Sequence, residues 1–141
     1  MPRFGASSAA ELATANTRLG HLFEIVVKNY DCTVLQGKRS EEEQQLNVDK
    51  GVSKTLNSKH VYPLEAPSRA VDVAPYPLRW PDKHSQTYVK DLARFYHFGG
   101  YVKAMAEHLS IPIRWGGDWD GDNVFTDQTF DDLVHFELDN G

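Results

Sequence analysis

Apolar side chains recur at helical spacing from the start of the chain. Leu12, Leu19, Leu22, Phe23 and Val26 predict one helix over residues 8 to 29, with Ser7 or Ser8 as its cap, Glu11 at capping-box distance from Ser8, and Tyr30-Asp31 as its end. Thr33 to Gln36 predicts a short strand stopped by Gly37. Ser40 and Glu43 cap a second helix that runs to Val48, and Glu41, Glu42 and Glu43 suit its N-terminal dipole. Residues 50 to 69 carry no period and contain Gly51, Asn57, Pro63 and Pro67, so they read as an irregular connection. Ala70 to Ala74 is an apolar strand interrupted by Asp72 and ended by Pro75 and Pro77. After a loop over 75 to 85, Tyr88, Leu92, Phe95, Val102, Met105 and Leu109 predict a long helix over 86 to 109, in which Gly99-Gly100 gives a bend or admits another backbone. Ile111 to Trp115 predicts a strand, 116 to 130 a Gly- and Asp-rich loop, and Leu133 to Leu138 a final strand. The order helix, strand, helix, strand, helix, strand, strand, without a dinucleotide-type glycine motif, favours an α+β fold: a small antiparallel sheet with flanking helices.

The chain has 141 residues, of which 40% are hydrophobic, enough for one domain over 1–141 built on one core. Its net charge of -5 makes nucleic acid a poor partner. Cys32 is the single cysteine, so an intramolecular disulfide is excluded, and its apolar surroundings make it a buried strand residue rather than a nucleophile. No apolar run approaches a membrane span, and Met1 to Gly5 does not open an apolar signal region. The expectation is a chain folded in the cytoplasm, without membrane insertion.

Asp72 changes the picture. Strand alternation sets Val71 and Val73 on one face and Asp72 on the other with Ala70 and Ala74, whose small side chains leave room around a carboxylate. His135 shares its face with Leu133 and Glu137. A carboxylate and an imidazole on neighbouring strands, joined by a histidine such as His60 from a loop, can make a three-ligand zinc site with a fourth position open for water. Asp132, three positions before His135, suits a general base. The helical HExxH arrangement is absent. These residues also admit plainer roles: a polar loop histidine, a salt-bridged carboxylate and a half-buried histidine. Spacing alone does not choose among them and His21, His84, His97 and His108. Asp118, Asp120 and Asp122 alternate in a Gly-rich loop like the first carboxylates of a calcium loop. Asn123 stands where glycine is usual, Thr129 where a glutamate is usual, and Asp127 is a substitute carboxylate.

Five motifs in order carry a family resemblance: Leu35-Gln36-Gly37-Lys38-Arg39-Ser40, Ser58-Lys59-His60, Val71-Asp72-Val73-Ala74-Pro75-Tyr76, Arg114-Trp115-Gly116-Gly117-Asp118-Trp119 and Asp132-Leu133-Val134-His135-Phe136-Glu137. The chain resembles, from Leu12 to Leu138, the zinc peptidases that include D-alanyl-D-alanine carboxypeptidases and phage L-alanyl-D-glutamate endolysins, and the short endolysins most closely. The resemblance implies a fold shared with hedgehog-type domains, zinc at His60, Asp72 and His135, Asp132 as base, and substrate roles for Arg39 and Ser58. A guanidinium suits a substrate carboxylate or a developing oxyanion, although Arg39 could equally pair with Glu42 or Glu43. Some of the resembling endolysins respond to calcium and carry a similar acidic segment.

The implied activity is hydrolysis of the L-alanyl-D-glutamate bond of bacterial peptidoglycan by a monomer released to the wall through a separate pore. A D-alanyl-D-alanine carboxypeptidase and a non-catalytic, metal-holding module are the alternatives, with a calcium-binding interaction protein as a weaker third. One departure stands out. His60 and Asp72 are twelve positions apart, wider than the family's usual spacing, and the intervening stretch includes Glu65 as a substitute ligand. Loop closure is cheap enough for the two ligand-bearing ends still to meet.

Overall fold

The computed structural model describes residues 2–51 and 58–139; residues 52–57, part of the expected irregular connection, lie outside the described residues. Its elements are α1 (Ala6–Ala13), α2 (Thr17–Asn29), β1 (Cys32–Gln36), α3 (Glu41–Asp49), β2 (Ala70–Pro75), α4 (Tyr88–His108), β3 (Ile113–Gly116) and β4 (Asp132–Leu138). The strands form one antiparallel sheet in the order β1-β2-β4-β3, in the α+β class that the element pattern predicts.

The expected first helix is two helices. At the break, the Asn16 side chain accepts a hydrogen bond from Arg18 N and caps α2. The intervening backbone pairs elsewhere: Asn16 N donates to Ser68 O (2.8 Å) and Ser68 N to Thr14 O (3.0 Å). Partners far along the chain, invisible to a periodicity argument, divert this segment from helix. Nor is Ser8 a cap. It is buried inside α1, where its hydroxyl meets Thr33 Oγ1 (3.1 Å) and accepts from Val34 N (3.0 Å), tying the helix to β1; the N-cap is Gly5, which makes no side-chain cap. By contrast α3 has the full capping box, with Ser40 Oγ accepting from Glu43 N (3.1 Å) and Glu43 Oε1 from Ser40 N (3.2 Å).

The main core lies between one sheet face and the helices. Leu19, Leu22, Phe23 and Val26 of α2 meet Phe98 and Val102 of α4, with Val71 and Val73 of β2 and Phe136 and Leu138 of β4. Cys32 is buried in β1 and burial pushes its thiol up to about 12, which suits packing and not nucleophilic attack. A smaller cluster of Ala74, Phe95 and Val134 closes one end of the sheet.

Gly99-Gly100 does not bend α4, which runs unbroken from Tyr88 to His108. What Gly99 admits is a side chain: the Trp115 indole occupies the space where a Cβ would stand, while Gly100 faces open space. Trp115 is thereby buried, stacked on Phe136 (6.4 Å between centroids, 11°), with Nε1 donating to Leu133 O (2.8 Å). Overpacking this contact should be costly. Gly99→Ala is expected to lower stability by about 1–3 kcal/mol, read as a lower denaturant midpoint at unchanged m-value.

Candidate metal centre and active site

Strand register builds the centre. Asp72 of β2 lies opposite both Gln36 of β1 and His135 of β4. His60 comes from the connection between α3 and β2 and is 2% exposed. His60 Nε2 is 3.0 Å from Asp72 Oδ1, and His135 Nδ1 is 3.5 Å from the same oxygen. One ligand atom from each of the three residues lies within 4.8 Å of the others. Two imidazole nitrogens and one carboxylate oxygen make a donor set that fits zinc, and three protein donors leave a coordination position free.

Each imidazole is oriented from behind. His60 Nδ1 is 2.8 Å from Gly37 O, an acceptor only, so that nitrogen carries a proton and Nε2 is the one turned toward Asp72. His135 is turned the other way: its Nε2 is 2.8 Å from Glu137 Oε1, and Nδ1 faces the centre. Glu137 is itself paired with Lys59 Nζ (2.7 Å) and Arg114 Nη2 (3.1 Å). Burial opposes charge on all three groups, but the contacts outweigh it. Hydrogen bonds from His135 and His60 hold the Asp72 carboxyl well below the usual range. His135 and Lys59 hold Glu137 down to about 2. Asp72 and Glu137 lift His135 to about 9.

Asp132 opens β4, three positions before His135. Burial, then the charge of Asp72, raises its proton affinity, while His135, His60 and Arg39 oppose the rise. Arg39 is buried and does not pair with Glu42 or Glu43 in the manner of a surface salt bridge. Its Nε (3.0 Å) and Nη2 (2.6 Å) donate to Gln36 Oε1, Nη1 donates to Gln44 Oε1, and Nη2 is 3.9 Å from Asp72 Oδ2. Ser58 is buried, and its hydroxyl accepts from His60 N (3.1 Å), shaping the turn that presents the histidine.

The long His60–Asp72 connection is gathered by one ammonium. Lys38 Nζ donates to Val61 O, Pro63 O and Ala66 O at 2.5 to 2.8 Å, and Tyr62 Oη donates to Glu41 Oε2 (2.8 Å). The extra chain folds against the link between β1 and α3 and the first turn of α3, and its two ends still meet. Among the described residues, Glu65 belongs to neither metal-capable group, and neither do His21, His84, His97 and His108; His97 Nδ1 instead meets Tyr30 Oη (2.8 Å).

The second such group is Asp118, Asp120 and Asp122. Asp118 is fully buried, and its Oδ2 accepts from Lys103 Nζ (2.9 Å) and Asn123 N (2.8 Å) while Oδ1 has no hydrogen-bond partner. Asn123 takes the left-handed backbone (φ 65) that glycine would otherwise supply. A side-chain hydrogen bond with Asp122 raises Asp127 to about 6. Within this loop, Trp119 packs beside His135 (5.6 Å between ring centroids) under the Arg114 guanidinium (5.2 Å).

Sequence reasoning assigned no role to Glu137, Gln36, Gln44 or Lys38. Glu137 had a legible signal, since alternation puts it on the face of His135. The Gln clamp and the Lys38 contacts depend on chain segments brought together only by folding.

The sequence matches the family described as phage L-alanyl-D-glutamate peptidase over residues 1–139. Among solved structures, the L-Ala D-Glu endopeptidase ChiX of Serratia marcescens is similar in fold, with a TM-score of 0.70 at 24% identity, covering 98% of this chain and 91% of that chain. Comparison with curated proteins gave no match.

The direction of the His135 shift sets a pH dependence. Its folded value of about 9 lies above that of a free imidazole, so its contribution to the metal-free protein is complete below roughly pH 6.5 and is lost as pH rises through 9. Thermal unfolding of chelator-treated protein should therefore show a falling midpoint across that window, and His135→Gln should flatten the fall. Equal slopes for the two proteins would disprove the coupling.

Proposed function

The chain belongs to the phage L-alanyl-D-glutamate peptidase family, endopeptidases of peptidoglycan, and we propose that it cuts this bond by zinc-assisted hydrolysis at His60, Asp72 and His135, with Asp132 as general base. The observation that carries the reading is the convergence of His60 Nε2, Asp72 Oδ1 and His135 Nδ1 at one point, with each imidazole fixed from its far nitrogen. Zinc, when bound, supplies Lewis acidity that polarises a carbonyl and makes water more acidic.

The chain's own residues do the rest. Asp132 takes a proton from the attacking water and delivers it to the nitrogen of the departing D-glutamate; a raised proton affinity suits a group that must do both. Arg39, held flat by Gln36 and Gln44, offers its remaining donor capacity to the developing oxyanion or to a substrate carboxylate. Ser58 keeps His60 in place and lines the substrate side. Residues 1–141 act as one catalytic unit, a monomer that reaches the wall through a separate pore.

The test compares wild type with Asp132→Asn on purified peptidoglycan, reading new termini by mass spectrometry and zinc content by elemental analysis. Wild type should create D-glutamate amino termini, and the variant should keep its zinc while losing roughly 10²–10⁴-fold in rate. Release of terminal D-alanine would instead indicate a carboxypeptidase. No release from several wall types by zinc-loaded protein would leave a metal-holding module.

The second group supports calcium binding. Asp118 Oδ1 is buried without a hydrogen-bond partner and belongs to a group of three carboxylates with Asp120 and Asp122. We assign calcium to Asp118, Asp120 and Asp122. Calorimetric titration should show heat that Asp118→Asn abolishes, and a titration of wild type without heat would dismiss the assignment.

A further inference from the structure

Beside Asp132 lies a recess of ≈ 200 Å³ whose walls include Trp80, Pro81, Phe95 and Asp131. From this recess we infer that Trp80 and Asp131 form the subsite for the sugar-bearing side of the scissile bond, the muramyl-lactyl group to which the stem's L-alanine is joined. The inference rests on the reading of the site given above and adds a direction to it.

Trp80 is the first reason. It is 55% exposed, yet one face of its indole is stacked on Phe95, with centroids 5.5 Å apart and planes 17° from parallel. The stack supports the ring from one side and leaves the other side free. The loop that carries it is pinned just before the indole, at Pro77 and Arg79. Arg79 Nε pairs with the buried Asp91 at 3.1 Å, and Arg94 Nη2 donates to Pro77 O at 2.8 Å. A rigid, half-exposed indole next to a reacting group loses little entropy when a flat apolar surface settles on it.

Charge is the second reason. The ionisable residues lining the recess, among those described, are Asp131 and Asp132, and no cation joins them. Gln128 Nε2 donates to Asp131 Oδ1 at 2.6 Å and fixes that carboxylate. Two carboxylates repel the free carboxylate of D-glutamate but accept hydrogen bonds from hydroxyl and amide groups. The matching cation, Arg39, comes from the chain just after β1 and reaches Asp72 from the β1 side, 3.9 Å from its Oδ2, whereas Asp131 and Asp132 lie at the start of β4. The uncharged sugar and its lactyl ether therefore belong with Trp80, where the carbon-bound hydrogens of the ring face the indole. The anionic D-glutamate end belongs with Arg39. The stem peptide then crosses the centre in one direction only.

The test compares two substrates, an N-acetylmuramyl stem peptide and the same peptide without the sugar, using the zinc-loaded protein. The ratio of their kcat/KM values should fall by about threefold to tenfold in Trp80→Ala and recover in Trp80→Tyr. A second readout does not depend on cleavage. The indole N–H resonance that Trp80→Ala removes should move when N-acetylmuramyl-L-alanine is added to wild type, and should stay in place with N-lactyl-L-alanine. An unchanged ratio, or a resonance that responds to both compounds alike or to neither, overturns the subsite. Failure of wild type to cut either substrate between L-alanine and D-glutamate overturns the underlying reading, and the resonance still decides whether the sugar binds at Trp80.

Discussion

The antiparallel pairing of β2 with β4 is the constraint from which the site follows. It sets Asp72 directly across from His135, and the opposite edge of β2 sets Asp72 across from Gln36, the residue that steadies Arg39. A slip of one residue in this pairing would turn Asp72 into the core and Val71 or Val73 out of it. The same apolar contacts that hold the sheet against α2 and α4 therefore hold the ligand geometry. Stability and site formation rest on one register.

Around that pair the protein arranges protons as well as atoms. Gly37 O and Glu137 occupy the far nitrogens of the two imidazoles, so each ring turns a defined nitrogen toward Asp72. Glu137 is in turn paired with Lys59 and Arg114, and His135 and Lys59 keep it ionised inside the sheet. A buried carboxylate between two cations is costly to desolvate and cheap to keep once paired. It orients His135 and stands outside the group of His60, Asp72 and His135 that could hold a metal ion.

Much of this was legible beforehand, for identifiable reasons. Asp72 announced itself by breaking an apolar strand, Ser40 and Glu43 announced α3, and five ordered motifs carried the family. The misreadings share a cause. The first helix is interrupted at Thr14 to Asn16 because that backbone bonds to Ser68, more than fifty positions later in the chain. Ser8 resembles a cap because its spacing to Glu11 is right, but β1 claims its hydroxyl. Gly99-Gly100 reads as a bend or a close approach of another backbone, and Gly99 is instead a seat for the Trp115 side chain, which arrives from β3. Local pattern describes what a segment can do alone; each of these positions answers to a partner that only the fold supplies.

The three carbonyls gathered by Lys38 have a consequence for how the sequence can drift. Val61, Pro63 and Ala66 contribute main-chain oxygens to this ammonium, and every amino acid carries such an oxygen. Side chains in the loop between His60 and Asp72 can thus be exchanged with little effect on how the loop is tethered, whereas the single lysine cannot. One lysine just after β1 thus leaves its neighbours across the gap free to diversify, and the loop tolerates exchange of its side chains while His60 and Asp72 stay in place.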